Sequence, residues 1–201
     1  MQRVGANGRR NIVIFIVIPI VILISLVCID RFTKVYFEQL YRNVGEVVVI
    51  PNFFKFTFTI NKGAAFSFLA EKSWGQLIFK IITPFALMAF VLVLVYAIKK
   101  RYKFLTIAFV LVISGTLGNY IDRLLFNGVV DFISFQFGSY FFPVFNVADI
   151  CLTIGVIMAI VHFCFIDKNK LFAFKKKRKT ESCVEKEISQ SNDKENEDID
   201  K

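Results

Sequence analysis

Four long stretches of the sequence carry no charged residue, and they limit the fold more than any other feature. Each is 17 or 18 residues long, and they cover residues 12–29, 81–98, 104–121 and 150–166. At about 1.5 Å of rise per residue, such a helix and its flanking residues match a hydrocarbon core of about 30 Å. Four buried core helices of this kind would leave a soluble domain too little polar surface. The pattern therefore predicts four transmembrane helices.

Basic residues cluster beside the predicted helices. Arginines precede the first span, basic residues fill four of the five positions 99–103, and lysines follow the fourth span from residue 168. The positive-inside rule then puts both termini and the short loop in the cytoplasm, with the two longer connections outside. The net charge of +9 reflects this topology and attraction to anionic lipid, and we expect no nucleic-acid partner. The first span is too long for a cleaved signal peptide, so we expect a retained anchor.

Two segments of the longer connections have the period-two pattern of strands. Phe54, Phe56, Phe58 and Ile60 alternate with polar residues, and 47–50 is the expected partner strand. We predict a small extracytoplasmic β-rich element at about 44–68. In the second connection, 127–145, a strand-like or interfacial segment puts Asp131 on the apolar side. Because an unshielded carboxylate there is costly, Asp131 should line a cavity within the protein.

The composition changes sharply after Asp167. A basic cluster is followed by an acidic end without aromatic residues, from Thr180 to Lys201. Such a segment cannot bury enough apolar surface to offset its chain entropy. We therefore expect one mainly α membrane domain, a four-transmembrane-helix bundle over residues 1–167, and a disordered cytoplasmic tail over 168–201.

Four acidic residues fall at the outer ends of the predicted spans or between them. They are Asp30, Asp122, Asp131 and Asp149. Simple up-and-down threading brings all four to the outer side of the membrane. Two polar stripes at helical spacing accompany them: Gly115, Asn119 and Asp122 on the third span, and Asn146, Asp149 and Thr153 on the fourth. These residues should therefore meet in space.

The polar cluster has two interpretations. Asparagines and an ion pair between Asp122 and Arg123 could simply hold the helices together. Asp131 and Asp149, however, have no basic residue as an obvious local partner. Two carboxyl groups in a partly dry site tend to share a proton, so one can activate water while the other polarises a carbonyl. That is the chemistry of an aspartic peptidase, whereas the lone His162 lies deep in the fourth span.

Five sequence strings, in their order along the chain, resemble the motifs of one known family. They are Asp30-Arg31-Phe32-Thr33-Lys34, Asn61-Lys62-Gly63-Ala64-Ala65-Phe66-Ser67, Gly118-Asn119-Tyr120-Ile121-Asp122-Arg123, Val130-Asp131-Phe132 and Phe145-Asn146-Val147-Ala148-Asp149. On these strings the chain resembles lipoprotein signal peptidase, signal peptidase II, from about residue 12 to 167. Arg31 stands where the family usually has Gln. The long tail is also atypical.

The resemblance implies a catalytic pair, Asp131 and Asp149. It implies that six residues line the substrate pocket, namely Asn61, Gly63, Gly115, Asn119, Arg123 and Asn146. It further implies three supporting residues, Asp30, Lys34 and Asp122. The implied substrate is a prolipoprotein whose cysteine carries diacylglyceryl, cut just before that cysteine without metal or cofactor. We expect a monomer in the bacterial cytoplasmic (inner) membrane, with its active site at the outer face.

The alternatives to a peptidase are a small transporter or channel and a non-catalytic scaffold. A small transporter or channel would be expected to carry ionisable groups near the middle of the bilayer, where this sequence is almost wholly apolar. A non-catalytic scaffold could use the outer aromatic segment as an interface. Incubation with a lipid-modified precursor separates the peptidase from both.

Overall fold

The computed structural model describes residues 4–63 and 75–166, with side chains from Ile14 onward. The elements follow in the order α1 (Val4–Tyr41), β1 (Glu46–Ile50), β2 (Phe54–Asn61), α2 (Gly75–Lys99), α3 (Lys103–Phe126), β3 (Val129–Phe137), β4 (Tyr140–Phe141) and α4 (Val147–Val161). A π-helical segment, His162–Ile166, continues α4. The described residues up to Ala159 belong to one compact unit, and Ile160–Ile166 belong to a second.

The prediction of four membrane helices is confirmed within the described residues. The helical stretches long and apolar enough to cross a membrane are Ile14–Tyr41, Gly75–Lys99, Lys103–Phe126 and Val147–Ile166. In the most apolar 18-residue stretch of α3, 61% of the residues are buried, whereas only 6% are buried in the corresponding stretches of α1 and α2. α3 is therefore the central helix. The apolar outer surfaces of α1 and α2 suit a lipid environment, where apolar side chains need no protein cover.

The helices run further than the predicted spans. α1 continues beyond residue 29 to Tyr41, and its 38 residues correspond to a length of about 57 Å at 1.5 Å per residue. The apolar run ends at Asp30, so the pattern predicts an end there. Asp30 and Lys34 are both buried in the protein, and paired charges buried in this way do not stop a helix.

Glycines allow α3 and α4 to approach closely. A Cβ atom added at Gly155 would lie 2.7 Å from the carbonyl oxygen of Ala108 and 2.8 Å from the backbone nitrogen of Val112. On the other helix, a Cβ at Gly115 would collide with the carbonyl oxygen of Ala148. Small residues at such crossings let backbones pack directly, which is how membrane helices associate. The first turn of α4 is thereby held against α3.

The two longer connections combine into one antiparallel sheet with the strand order β1-β2-β3-β4. The predicted strands near 47–50 and 54–60 are confirmed as β1 and β2, and the strand-like segment of the second connection is β3. Pairing of β2 with β3 sets Asn61 opposite Val129 and Thr59 opposite Asp131. The ring of Phe37 in α1 stacks on Phe132, with 4.3 Å between centroids. The sheet is thus fixed to the end of α1.

Parts of the predicted layout lie outside the described residues. These are positions 64–68 of the β-rich element, including Ala64 and Ala65, and the whole tail from 168 to 201. The domain boundary at residue 167 stays a prediction.

We expect Gly155→Ala to destabilise the protein, because the added methyl group must displace the backbone of α3. Overpacking of this kind costs about 1–3 kcal/mol, and thermal unfolding in detergent measures it. Ile157→Ala on the same helix is the control, since Ile157 is 56% exposed. Equal melting temperatures for the two variants would contradict a tight helix crossing.

Candidate active site

The first turn of α4 contains one of the two predicted catalytic residues. Asn146 precedes the helix, and its side-chain oxygen accepts a hydrogen bond of 2.9 Å from the backbone N–H of Asp149. In return, the backbone N–H of Asn146 donates to Asp149 Oδ2 at 3.2 Å. This reciprocal pair is a capping box, which satisfies free N–H groups at a helix start. The carboxyl group of Asp149 is therefore held by the helix terminus itself.

Asn146 also contacts the other predicted catalytic residue. Its Nδ2 donates to Asp131 Oδ1 at 2.6 Å, while Asn61 Nδ2 donates to Asp131 Oδ2 at 3.0 Å. The structure thus brings Asp131 and Asp149 together through one fully buried asparagine. Asp131 is itself buried, as predicted from the alternation of β3.

A third asparagine connects Asp149 to the interior. Asn119 on α3 donates from Nδ2 to Asp149 Oδ1 at 2.7 Å, while its Oδ1 accepts from Lys34 Nζ at 3.0 Å. An ammonium group has only donors, so it fixes the amide with the oxygen towards Lys34 and the NH2 towards Asp149. The positive charge of Lys34 therefore orients a donor onto a carboxylate that it does not touch.

Lys34 lies at the centre of a buried ion cluster. Its ammonium group is 2.9 Å from Asp30 Oδ2 and 2.8 Å from Asp122 Oδ2. The ammonium group thus has two carboxylates within ion-pair distance and donates a hydrogen bond to Asn119. Asp122 also pairs with Arg31, so two cations face two anions. The supporting positions predicted from the sequence thus form one charge-balanced cluster.

The predicted ion pair between Asp122 and Arg123 is wrong. Among the described residues, Asp122 pairs with Arg31 and Lys34 of α1. Adjacent residues on a helix do not face each other, so Arg123 points elsewhere. Its guanidinium lies 4.8 Å from the centroid of Phe79 on α2, a cation–π distance. The sequence alone assigns no role to Arg31 or Phe79, because both contacts join residues far apart in the chain.

Two backbone contacts connect the ion cluster to the segments that carry Asp131 and Asp149. Asp30 Oδ1 accepts from the N–H of Ala148 at 2.9 Å, in the first turn of α4. Asp122 Oδ2 accepts from the N–H of Val130 at 3.1 Å, directly before Asp131. The ion cluster therefore positions both carboxyl-bearing segments.

Burial raises the pKa of Asp131 from its ordinary value of 3.8 to about 7, and the negative charge of Asp149 acts in the same direction. Hydrogen bonds from Asn61 and Asn146, and the charge of Lys34, oppose this rise. Asp131 can therefore exchange a proton near neutral pH, as a general acid or base must.

The predicted pocket residues have structural contacts of their own. Asn61, Asn119 and Asn146 bind the carboxyl groups directly, and Gly63 donates its N–H to Asn61 Oδ1 at 3.0 Å. Gly115 packs against the backbone of α4. Their contact with a substrate stays a prediction.

We expect Lys34→Met to destabilise the fold strongly, because it leaves Asp30 and Asp122 buried with too little positive charge. Breaking a buried ion pair in this way costs about 3–5 kcal/mol. The control is Lys55→Met, which breaks an ion pair with the half-exposed Glu46 and should cost about 0–1 kcal/mol. Thermal unfolding of both variants in detergent measures the difference. Similar losses of stability in the two variants would contradict a central role of Lys34 in stabilising the fold.

Comparisons with known proteins identify relatives of this chain. The family model described as Signal peptidase (SPase) II matches residues 13–165. The lipoprotein signal peptidase of Maridesulfovibrio salexigens is 39% identical over 147 residues, which cover 72% of this chain and 92% of that protein. That of Clostridium acetobutylicum is 37% identical, with the same coverage of 72% and 92%.

Two solved structures, both described as a bacterial membrane enzyme studied by the in meso method, are also similar. The first has a TM-score of 0.64 and 37% identity, and covers 78% of this chain and 92% of its own. The second has a TM-score of 0.63 and 38% identity, with coverage of 75% and 95%. With a family model that matches most of its length and with these relatives, the chain belongs to the signal peptidase II family.

Proposed function

We propose that this chain is an aspartic-type membrane endopeptidase that removes signal peptides from prolipoproteins, cleaving just before a cysteine that carries diacylglyceryl. Family membership and the relatives named lipoprotein signal peptidase support this activity. The observation that carries the catalytic assignment is the position of Asn146, which contacts Asp131 and Asp149 at once. Two carboxyl groups that contact the same asparagine are close enough to act on one peptide bond.

The two carboxyl groups have different surroundings. Asp131 is buried, and its raised pKa of about 7 keeps a large fraction of it protonated in neutral solution, unlike an ordinary carboxyl group. Asp149 is partly exposed, accepts hydrogen bonds from Asn119 and from the backbone of Asn146, and lies in the first turn of α4, where the helix dipole stabilises negative charge. We therefore assign the proton to Asp131 and the role of base to Asp149.

Hydrolysis then proceeds without a covalent intermediate. Asp149 takes a proton from a water whose oxygen attacks the scissile carbonyl carbon, while Asp131 gives its proton to the carbonyl oxygen. In the tetrahedral intermediate, Asp131 takes a proton back from a hydroxyl group and Asp149 protonates the leaving nitrogen. The C–N bond breaks, releasing a carboxylic acid and an amine, and both groups return to their starting states.

Arg123 is the best-placed residue to bind the substrate. Its guanidinium is held over Phe79 and donates to the carbonyl oxygen of Asn119 at 3.3 Å. Its Nε is buried and has no hydrogen-bond partner among the described residues. A substrate carbonyl would satisfy this donor, and a bound peptide would thereby be oriented beside the carboxyl pair.

The distribution of charge supports a site at the outer face of the cytoplasmic membrane. Basic residues flank the helix ends opposite to the catalytic cluster, so the positive-inside rule assigns both termini to the cytoplasm. At the outer boundary the lipid of the substrate can stay in the bilayer while its peptide bond meets water.

We expect Asp131→Asn and Asp149→Asn each to abolish cleavage, because each removes a proton-transfer group while keeping the size of the side chain. The assay is cleavage of a lipid-modified precursor by purified protein in proteoliposomes. Glu46→Gln, at an exposed position of β1, is the matched control and should cleave normally. Protein levels in the membrane should be unchanged.

Near-normal cleavage by either Asn variant would contradict the assignment of Asp131 and Asp149 as the catalytic pair. If Asp122→Asn abolishes cleavage without loss of protein while one of the other two variants stays active, Asp122 replaces that residue in the pair. An unmodified precursor, run in parallel, tests the requirement for lipid.

We expect kcat/KM to fall as pH rises through about 7, because the proton of Asp131, whose pKa is about 7, is then lost. Asn61→Ala should move this falling limb to higher pH, since the hydrogen bond from Asn61 lowers the pKa of Asp131. Asn43→Ala, in an exposed turn, serves as the control. If the fall of kcat/KM in the Asn61→Ala variant stays at the same pH or moves to lower pH, the assignment of the proton to Asp131 is contradicted.

A further inference from the structure

The hairpin between β3 and β4 exposes an unusual set of side chains. Residues 137–142, which we call the aromatic tip, contain Phe137, Tyr140, Phe141 and Phe142, and each of these four is between 45% and 58% exposed. No charged residue occurs anywhere from Phe132 to Ala148. Exposed aromatic groups on a segment that has no charged residue of its own mark an interaction surface rather than an ordinary solvated turn.

The exposure of the tip is fixed by the backbone. Phe137 pairs with Tyr140 across a two-residue turn, and Gly138 has a φ of +61°, which such turns require. The N–H of Phe142 donates to the carbonyl oxygen of Phe135 at 2.9 Å. Behind the turn, the ring of Phe53 meets that of Phe137 at 5.6 Å between centroids. The tip is a braced hairpin whose aromatic side chains remain outside the core.

A charged pair lies at the base of the tip. Lys55 Nζ is 5.8 Å from the ring centroid of Phe141 and 2.5 Å from Glu46 Oε2. This order of groups, with apolar rings at the tip and an ion pair at its base, matches a bilayer surface. There, aromatic residues lie at the headgroup boundary and lysine reaches the polar layer. The connection that carries the tip begins after α3 and ends at α4, both of which contain membrane spans.

We propose that the aromatic tip inserts into the interfacial layer of the lipid bilayer and anchors the active site at that depth. Three residues, 143–145, separate the tip from Asn146. Within them, Phe145 exchanges backbone hydrogen bonds of 2.9 and 3.0 Å with Ile133. The anchor is therefore joined by ordered backbone to the asparagine that contacts both carboxyl groups. This inference depends on the membrane location of the chain and not on its peptidase activity.

The test uses Tyr140→Trp in a Trp74→Phe background, which removes the only native tryptophan. The protein is reconstituted into vesicles of lipids brominated either near the headgroups or near the chain ends, and iodide is added from the water. Phe85→Trp in the same background is the comparator, because Phe85 is 64% exposed within α2. Phe141→Trp repeats the measurement at a second position of the tip.

We expect lipids brominated near the headgroups to remove most of the fluorescence of the Tyr140→Trp and Phe141→Trp proteins, whereas bromine near the chain ends quenches the Phe85→Trp protein more strongly. Iodide should quench the two tip variants weakly. Strong iodide quenching without bromolipid quenching would overturn the proposal and leave the tip in water. Weak quenching by both reagents would also overturn it, because the tip would then be covered by protein such as a second copy.

Discussion

The buried ammonium group of Lys34 is the interaction on which the rest of the structure depends. It binds Asp30, Asp122 and Asn119, and so joins α1 to α3. Asp30 also accepts from the backbone N–H of Ala148 with its other oxygen, Oδ1, and Asp122 accepts from the N–H of Val130 with Oδ2, the oxygen that faces Lys34. One positive charge inside the protein thereby helps to fix both segments that carry the proposed catalytic carboxyl groups. Its desolvation is costly, and two buried carboxylates within ion-pair distance of the ammonium group offset that cost.

Neutral amides, rather than cations, make the direct side-chain contacts with the two proposed catalytic carboxyl groups, Asp131 and Asp149. Asn61 and Asn146 donate to Asp131, and Asn119 donates to Asp149. A lysine or arginine bonded to either carboxyl group would hold it ionised, and the pair could no longer share a proton. An amide positions the group with much less electrostatic bias. Lys34 contacts Asn119 instead of either carboxyl group, and its charge only partly opposes the effect of burial, which raises the pKa of Asp131 to about 7.

Much of this architecture is predictable because it is local in the sequence. Runs without charge predict the four helices, and helical spacing predicts the stripes of Asn119 with Asp122 and of Asn146 with Asp149. The pairing of β2 with β3 and the ion pair of Arg31 with Asp122 join distant parts of the chain, so no periodicity indicates them. The extension of α1 past Asp30 escapes prediction for a related reason: a charge ends an apolar run, but a helix continues if the charge finds a buried partner. The string Asn146-Val147-Ala148-Asp149, ahead of an apolar run, does indicate a capping box, although not its catalytic use.

The capping box has a consequence for how the protein responds to heat. Asp149 is both the third residue of α4 and a member of the carboxyl pair. Fraying of that first turn would therefore move Asp149 away from Asp131 while the helix bundle stays assembled. Helix ends open locally at far lower free energy than whole domains unfold. Activity would then depend on a single helical turn staying closed, in addition to the assembly of the membrane helices.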